Sequence, residues 1–213
     1  NDGNGSYSGH VRIYSWDGSA WNKVGSDIDG EAASDFSGYS VSIDSDGSHV
    51  AIGAHLNDGN GSYSGHVRIY EYSSGSWSQV GNDIDGEAAD DFSGYSVSMD
   101  SDGSHVAIGA FGNDGNGTDA GNVRIFSWDG SAWSQVGNDI DGEASSDRSG
   151  ASVSIDSDGS HVAIGAYRNH GNGYHNGHVR VYSWDGSAWT QLGNDIDGEA
   201  VDDYSGASVS IDS

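Results

Sequence analysis

Residues 93–100 read SGYSVSMD and residues 104–110 read SHVAIGA. In the first segment Tyr95, Val97 and Met99 alternate with serines, which is the period of two of a β-strand. Asp100-Ser101-Asp102-Gly103 joins it to the second, and Gly103 is free to take positive φ, so the pair is predicted to form a hairpin. Two more extended segments follow, residues 122–128 (NVRIFSW) and 133–140 (WSQVGNDI), separated by the turn residues Asp129-Gly130-Ser131. No 3.6-residue apolar period is sustained anywhere, and Gly, Ser and β-branched residues dominate, so helix is not expected.

This four-segment unit recurs. NDGNG begins at Asn1, Asn57 and Asn113 and returns as NHGNG at Asn169, a spacing of 56 residues each time. The repeats are therefore 1–56, 57–112, 113–168 and a shorter 169–213, in a single repeat domain. Short antiparallel strands at this period, rich in Gly and aromatics, predict an all-β fold of four-stranded β-propeller blades, about four in this chain. Because the phase starts between the second and third segments, the first blade is expected to hold only its last two strands. The chain end supplies one further first strand. A larger ring or array, or open edges pairing between chains into a ring or filament, would each complete such a set.

Phe92-Ser93-Gly94-Tyr95-Ser96-Val97 followed by Val106-Ala107-Ile108-Gly109-Ala110 resembles the core of FG-GAP repeats, the blades of integrin-α-like propellers. The resemblance covers the chain once per repeat. It implies a binding or structural module at the cell surface or outside the cell, in adhesion or scaffolding. Calcium is a cofactor in that family, held by a DxDxDG loop between the first two strands. Here that loop is cut to Asp44-Ser45-Asp46-Gly47 and its copies, with too few carboxylates for the 6 to 8 oxygens calcium takes.

A denser acidic cluster lies farther along each repeat, and it is the candidate calcium site. It comprises Asp27, Asp29, Glu31 and Asp35, then Asp83, Asp85, Glu87 and Asp91. The third and fourth copies are Asp139, Asp141, Glu143 and Asp147, and Asp195, Asp197, Glu199 and Asp203. Four carboxylates within nine residues could wrap a hard cation. The alternative is a loop in which they accept backbone N–H bonds.

With 33 acidic residues against 7 basic ones the net charge is -26. Scattered cations cannot engage a phosphate backbone or an anionic bilayer, so nucleic acid and direct membrane insertion are excluded as partners. A protein or glycan surface, or self-association, is the expected partner class. Four of the seven basic residues are one column, Arg12, Arg68, Arg124 and Arg180, read as interblade ion pairs to the acidic cluster. Trp21, Trp77, Trp133 and Trp189 are either interblade core or stacking platforms for sugars, one per blade, which would make the protein a lectin. His10, His66 and His178, with Asn122 in the series, alternate with apolar residues and are expected to face outward. Asn4, Asn60 and Asn116 fit the N-glycosylation pattern, or are simply turn residues. Residues unique to one copy, such as Arg148, Arg168, His170 and His175, form no catalytic motif, and the chain is read as non-enzymatic.

Overall fold

The computed structural model describes residues 3–171 and 173–212; Asn1, Asp2, Asn172 and Ser213 lie outside the described residues. Strands β1 (His10–Trp16) and β2 (Trp21–Asp29) form a two-stranded sheet. A second sheet runs β3 (Ser40–Ile43), β4 (His49–Ala54), β5 (His66–Ser73), β6 (Ser76–Gln79), and β7 (Ile84–Asp85) returns to pair with β5. The third repeats this order with β8 (Ser96–Met99), β9 (His105–Ala110), β10 (Asn122–Trp128), β11 (Trp133–Gln135) and β12 (Ile140–Asp141). The fourth has β13 (Ser152–Ile155), β14 (His161–Ala166), β15 (His178–Trp184), β16 (Trp189–Gln191) and β17 (Ile196–Asp197). All ladders are antiparallel, as in β-propeller blades, and three blades are complete.

The last segment of the second, third and fourth units differs from expectation. Residues 133–140 form two short strands, not one, and both pair with β10. The break lies at Gly81, Gly137 and Gly193, whereas β2 runs unbroken through Gly25. At Gly81, with φ +76°, a side chain would collide with Trp128 and Trp133 of the next blade, so only glycine admits that indole pair.

The apolar residues of each blade are buried against its neighbour. Ala51, Val67 and Ile69 of the second blade pack with Val97, Met99, Val106 and Ile108 of the third. Val123, Ile125 and Ile140 of the third pack likewise with Val153, Ile155 and Ile164 of the fourth. A fully buried Ile contributes about 1.5–3 kcal/mol, so the stack, not the single blade, is the cooperative unit.

Innermost strands β3, β8 and β13 lie side by side. Their turns are strung together, with Ser45 N donating to Ser101 O at 3.0 Å and Ser101 N to Ser157 O at 3.1 Å. Strand serines step across in the same way: Met99 N donates to Ser42 Oγ, Ile155 N to Ser98 Oγ, and Ile211 N to Ser154 Oγ, at 2.9, 3.0 and 3.1 Å. Residues 208–211 thus dock on the fourth blade as β8 docks on the second.

Candidate functional site at the blade junctions

Strand β5 is the central strand of its sheet and is covered by a blade on either side. His66 and Arg68, two residues apart, share one face of it. That face meets the preceding blade. Arg68 Nη2 donates to Asp29 O at 3.0 Å, and its Nη1 lies 3.5 Å from Glu31 Oε1. Arg124 and Arg180 make the same bond, to Asp85 O and Asp141 O, both at 2.7 Å. Arg68, Arg124 and Arg180 therefore join blades through a backbone carbonyl, and Arg68 and Arg180 add the expected ion pair, to Glu31 and Glu143 at 3.5 and 3.8 Å; Arg12 does not, and pairs within its own sheet.

The His column is a correction. His66 and His178 are each 1% exposed and face the neighbouring blade instead of solvent. Alternation reports an outward face only for a sheet with one side wet, and here both sides are covered. His66 Nδ1 lies 3.8 Å from Glu31 Oε2 of the preceding blade and 3.7 Å from Asp83 Oδ2 of its own. His178 repeats this, 3.8 Å from Glu143 Oε2 and 3.7 Å from Asp195 Oδ2. Burial pushes both imidazoles below the usual His range, which keeps them neutral. In each trio the three ligand atoms lie within 4.8 Å of one another, an arrangement that could hold a metal ion. At the middle junction Asn122 Nδ2 faces Glu87 Oε2 at 3.4 Å and Asp139 Oδ2 at 3.5 Å.

The sixteen acidic positions do not converge as four-carboxylate cages in the described structure; each position has its own task. Asp35, Asp91, Asp147 and Asp203 close their loops, accepting from the N–H of Ala32, Ala88, Ala144 and Ala200 at 2.7–3.1 Å. Asp35 and Asp147 also accept from the amides of Asn57 and Asn169. Asp29, Asp85 and Asp141 lend their backbone carbonyls to the Arg column. Asp83, Asp139 and Asp195 each accept one bond from a Gln, at 2.6, 2.6 and 2.7 Å. Asp27 instead pairs with Arg12 and Lys23 of its own sheet. The short turns are likewise self-contained, His49, His105 and His161 Nδ1 lying 2.7–2.8 Å from Asp44, Asp100 and Asp156.

The Trp column is partly spent on assembly. Trp77, Trp133 and Trp189 Nε1 donate to Val24, Val80 and Val136 O of the preceding blade at 2.8–2.9 Å. A groove of about 340 Å³ remains beside Trp133, bounded by Asp83, Asp85 and Arg124, and one of about 300 Å³ lies beside Trp189, Asp139 and Asp141. Asn4, Asn60 and Asn116 each donate the amide that would carry a glycan to Gly30, Gly86 or Gly142 O at 2.8 Å.

Sequence reading missed one surface altogether. Tyr7, Phe36, Tyr39, Tyr63 and Tyr95 gather with His55, Phe92 and Phe111 on the loops at one end of the blades. Their rings are 4.1–6.5 Å apart in an unbroken series, and Tyr7, Phe36, Tyr39 and Tyr63 are exposed. The signal was available, since Tyr39 and Tyr95, and Phe36 and Phe92, recur at 56 residues, but which loops share an end requires the blade topology.

Residues 27–70 and 83–126 each match the profile of the FG-GAP repeat. No curated protein matches the sequence. Among solved structures, a provisionally assigned 6-phosphogluconolactonase from Bacteroides uniformis superposes with a TM-score of 0.57 at 13% identity, over 89% of this chain and 49% of its own. A second, from Bacteroides fragilis, gives 0.56 at 14% identity, over 85% of this chain and 43% of its own. The chain thus spans about half the length of these propellers, and the likeness is one of fold.

Proposed function

Starting from a chain that carries FG-GAP repeats at residues 27–70 and 83–126, we propose that it serves outside the cell, or on its surface, as a non-catalytic propeller scaffold in adhesion. One observation carries the reading: an aromatic series from Tyr7 to Phe111, with Tyr7, Phe36, Tyr39 and Tyr63 exposed, runs across the loops of the first blades. Exposed, clustered rings on a folded scaffold mark a contact surface. The polar columns behind that surface are spent on joining blades, leaving a body stiff enough to hold it.

Beads coated with the chain are expected to adhere to polysaccharide- or protein-coated surfaces, and beads coated with a Tyr7, Tyr39 and Tyr63→Ser variant to lose adhesion. Equal adhesion of the two would overturn the reading. Incubation with 6-phosphogluconolactone is expected to give only the spontaneous rate of hydrolysis; a faster rate would overturn the non-catalytic assignment. The grooves beside Trp133 and Trp189 favour a second reading, a lectin with one sugar site per junction. Free monosaccharides would then quench tryptophan fluorescence and compete with adhesion.

A further inference from the structure

We propose that Glu31–His66–Asp83 and Glu143–His178–Asp195 each bind a divalent transition-metal ion of the zinc class, clamping one blade to the next. Three observations outside the acidity itself point there. First, the imidazoles are almost wholly buried yet lack hydrogen bonds: both ring nitrogens of His178 are unpartnered, as is Nε2 of His66. An orphaned buried polar group is costly, and here Nδ1 is aimed at two carboxylate oxygens too distant to bond it directly.

Second, the separations suit an ion. With metal–nitrogen and metal–oxygen bonds near 2.0–2.2 Å, ligand atoms of a tetrahedral site sit about 3.3–3.6 Å apart. The two imidazole-to-carboxylate separations at each junction, 3.7 and 3.8 Å, need to close by only a few tenths of an ångström, which partly exposed carboxylates can supply.

Third, the other carboxylate oxygens are already held. Arg68 lies against Glu31 Oε1 and Gln79 bonds Asp83 Oδ1, so Oε2 and Oδ2 are left toward the imidazole. Outer partners of this kind fix ligand orientation. One neutral imidazole with two carboxylates suits zinc and its neighbours, whereas calcium prefers an all-oxygen shell. Both carboxylates are partly exposed, which leaves the fourth position to water.

The middle junction is a built-in control. Asn122 offers an amide where its neighbours offer an imidazole, and Glu87 and Asp139 face its donor nitrogen. Two sites per chain are therefore expected, not three. The site is independent of what the aromatic surface contacts.

The test is equilibrium dialysis of chelator-treated chain against Zn²⁺ in the presence of excess Ca²⁺, with visible absorption of the Co²⁺ form as the signature of nitrogen ligation. Wild type is expected to take up two ions, H66N and H178N one each, the double variant none, and N122H three. Asparagine is what the middle junction already carries, so the variants keep a junction this fold accepts. Should the double variant still unfold, the gain of an ion by N122H decides alone. Uptake unchanged in the double variant would assign the ions to the acidic surface or to Asp156, Asp158 and His161, and would overturn the proposal, as would no uptake by wild type.

Discussion

The two-stranded sheet β1–β2 and the matching strands of the third blade have nearly the same sequence and different surroundings. In the third blade Arg124 is buried and reaches back to Asp85 O, and Trp133 donates to Val80 O. In the first sheet Arg12 is exposed and folds onto Asp27 beside it, and Trp21 is among the exposed side chains. β2 is one unbroken strand where later blades have two short ones. The effect reaches the second blade too: Val41 and Ile43 are 53% and 47% exposed, against 9% and 7% for Val97 and Met99 one repeat later. The repeat's sequence sets what a blade can do, and the blade before it sets which of those contacts form.

That contrast can be broken at several points. Ile125→Ala, in a complete junction, is expected to cost roughly 2–5 kcal/mol in denaturant unfolding. Ile13→Ala, the corresponding change in the first sheet, should cost less than half as much, and equal costs would mean that the first sheet is as well buried as the rest. Arg124→Met removes a charge-assisted bond to a buried carbonyl and should cost about 1.5–3 kcal/mol, whereas Arg12→Met should leave the unfolding midpoint unchanged, since exposed pairs contribute little. Trp133→Phe keeps the ring but leaves Val80 O unbonded, for a loss of about 1 kcal/mol; Trp21→Phe should be silent.

The histidines separate the environments by pH. Its bond to Asp100 raises His105 above the usual His range, while burial lowers His66 and His178, and lowers His55 to about 4. The His105 pair thus stabilises fully below the unfolded value of about 6.5, and that contribution is lost as pH rises through the raised folded value. His66, His178 and His55 act oppositely: stability falls as pH drops below about 6.5, because the unfolded chain takes protons that the folded one resists. NMR titration of the ring protons in metal-free protein should place His105 above the usual His range and His55, His66 and His178 below it. In H105Q the alkaline-side decline should shrink, a small change because that side chain is 29% exposed.

The strand plan was legible because alternation and Asp-Gly turns are local: residues 122–128 are β10 as predicted, and 104–110 differ from β9 only at Ser104. The split after Gln135 was not, since the near-identical sequence around Gly25 runs as one strand. Nor was the inward turn of His66, which depends on a blade covering each face of β5. The acidic positions could be found by repetition alone. Their division among loop closure, accepting the Arg bonds through backbone carbonyls, and the junction trios is visible only when Glu31 is seen beside His66, 35 residues away.

Blades this alike raise a problem of address. A strand that fits its own blade fits the equivalent place in any other, so the folding chain has several wrong partners of nearly right energy, and repeat proteins are prone to such misassembly. The few places where one copy departs from the rest act against this. Arg148 stands where other repeats have Phe or Tyr; it lies over the Phe111 ring at 5.1 Å and donates to Tyr167 Oη at 3.2 Å. No other described junction can make that set of contacts, so Arg148 labels the third and fourth blades as neighbours. Replacing it with the Phe of its sister repeats would leave the native contacts largely intact and remove the label, and the cost would appear in refolding yield before it appeared in stability.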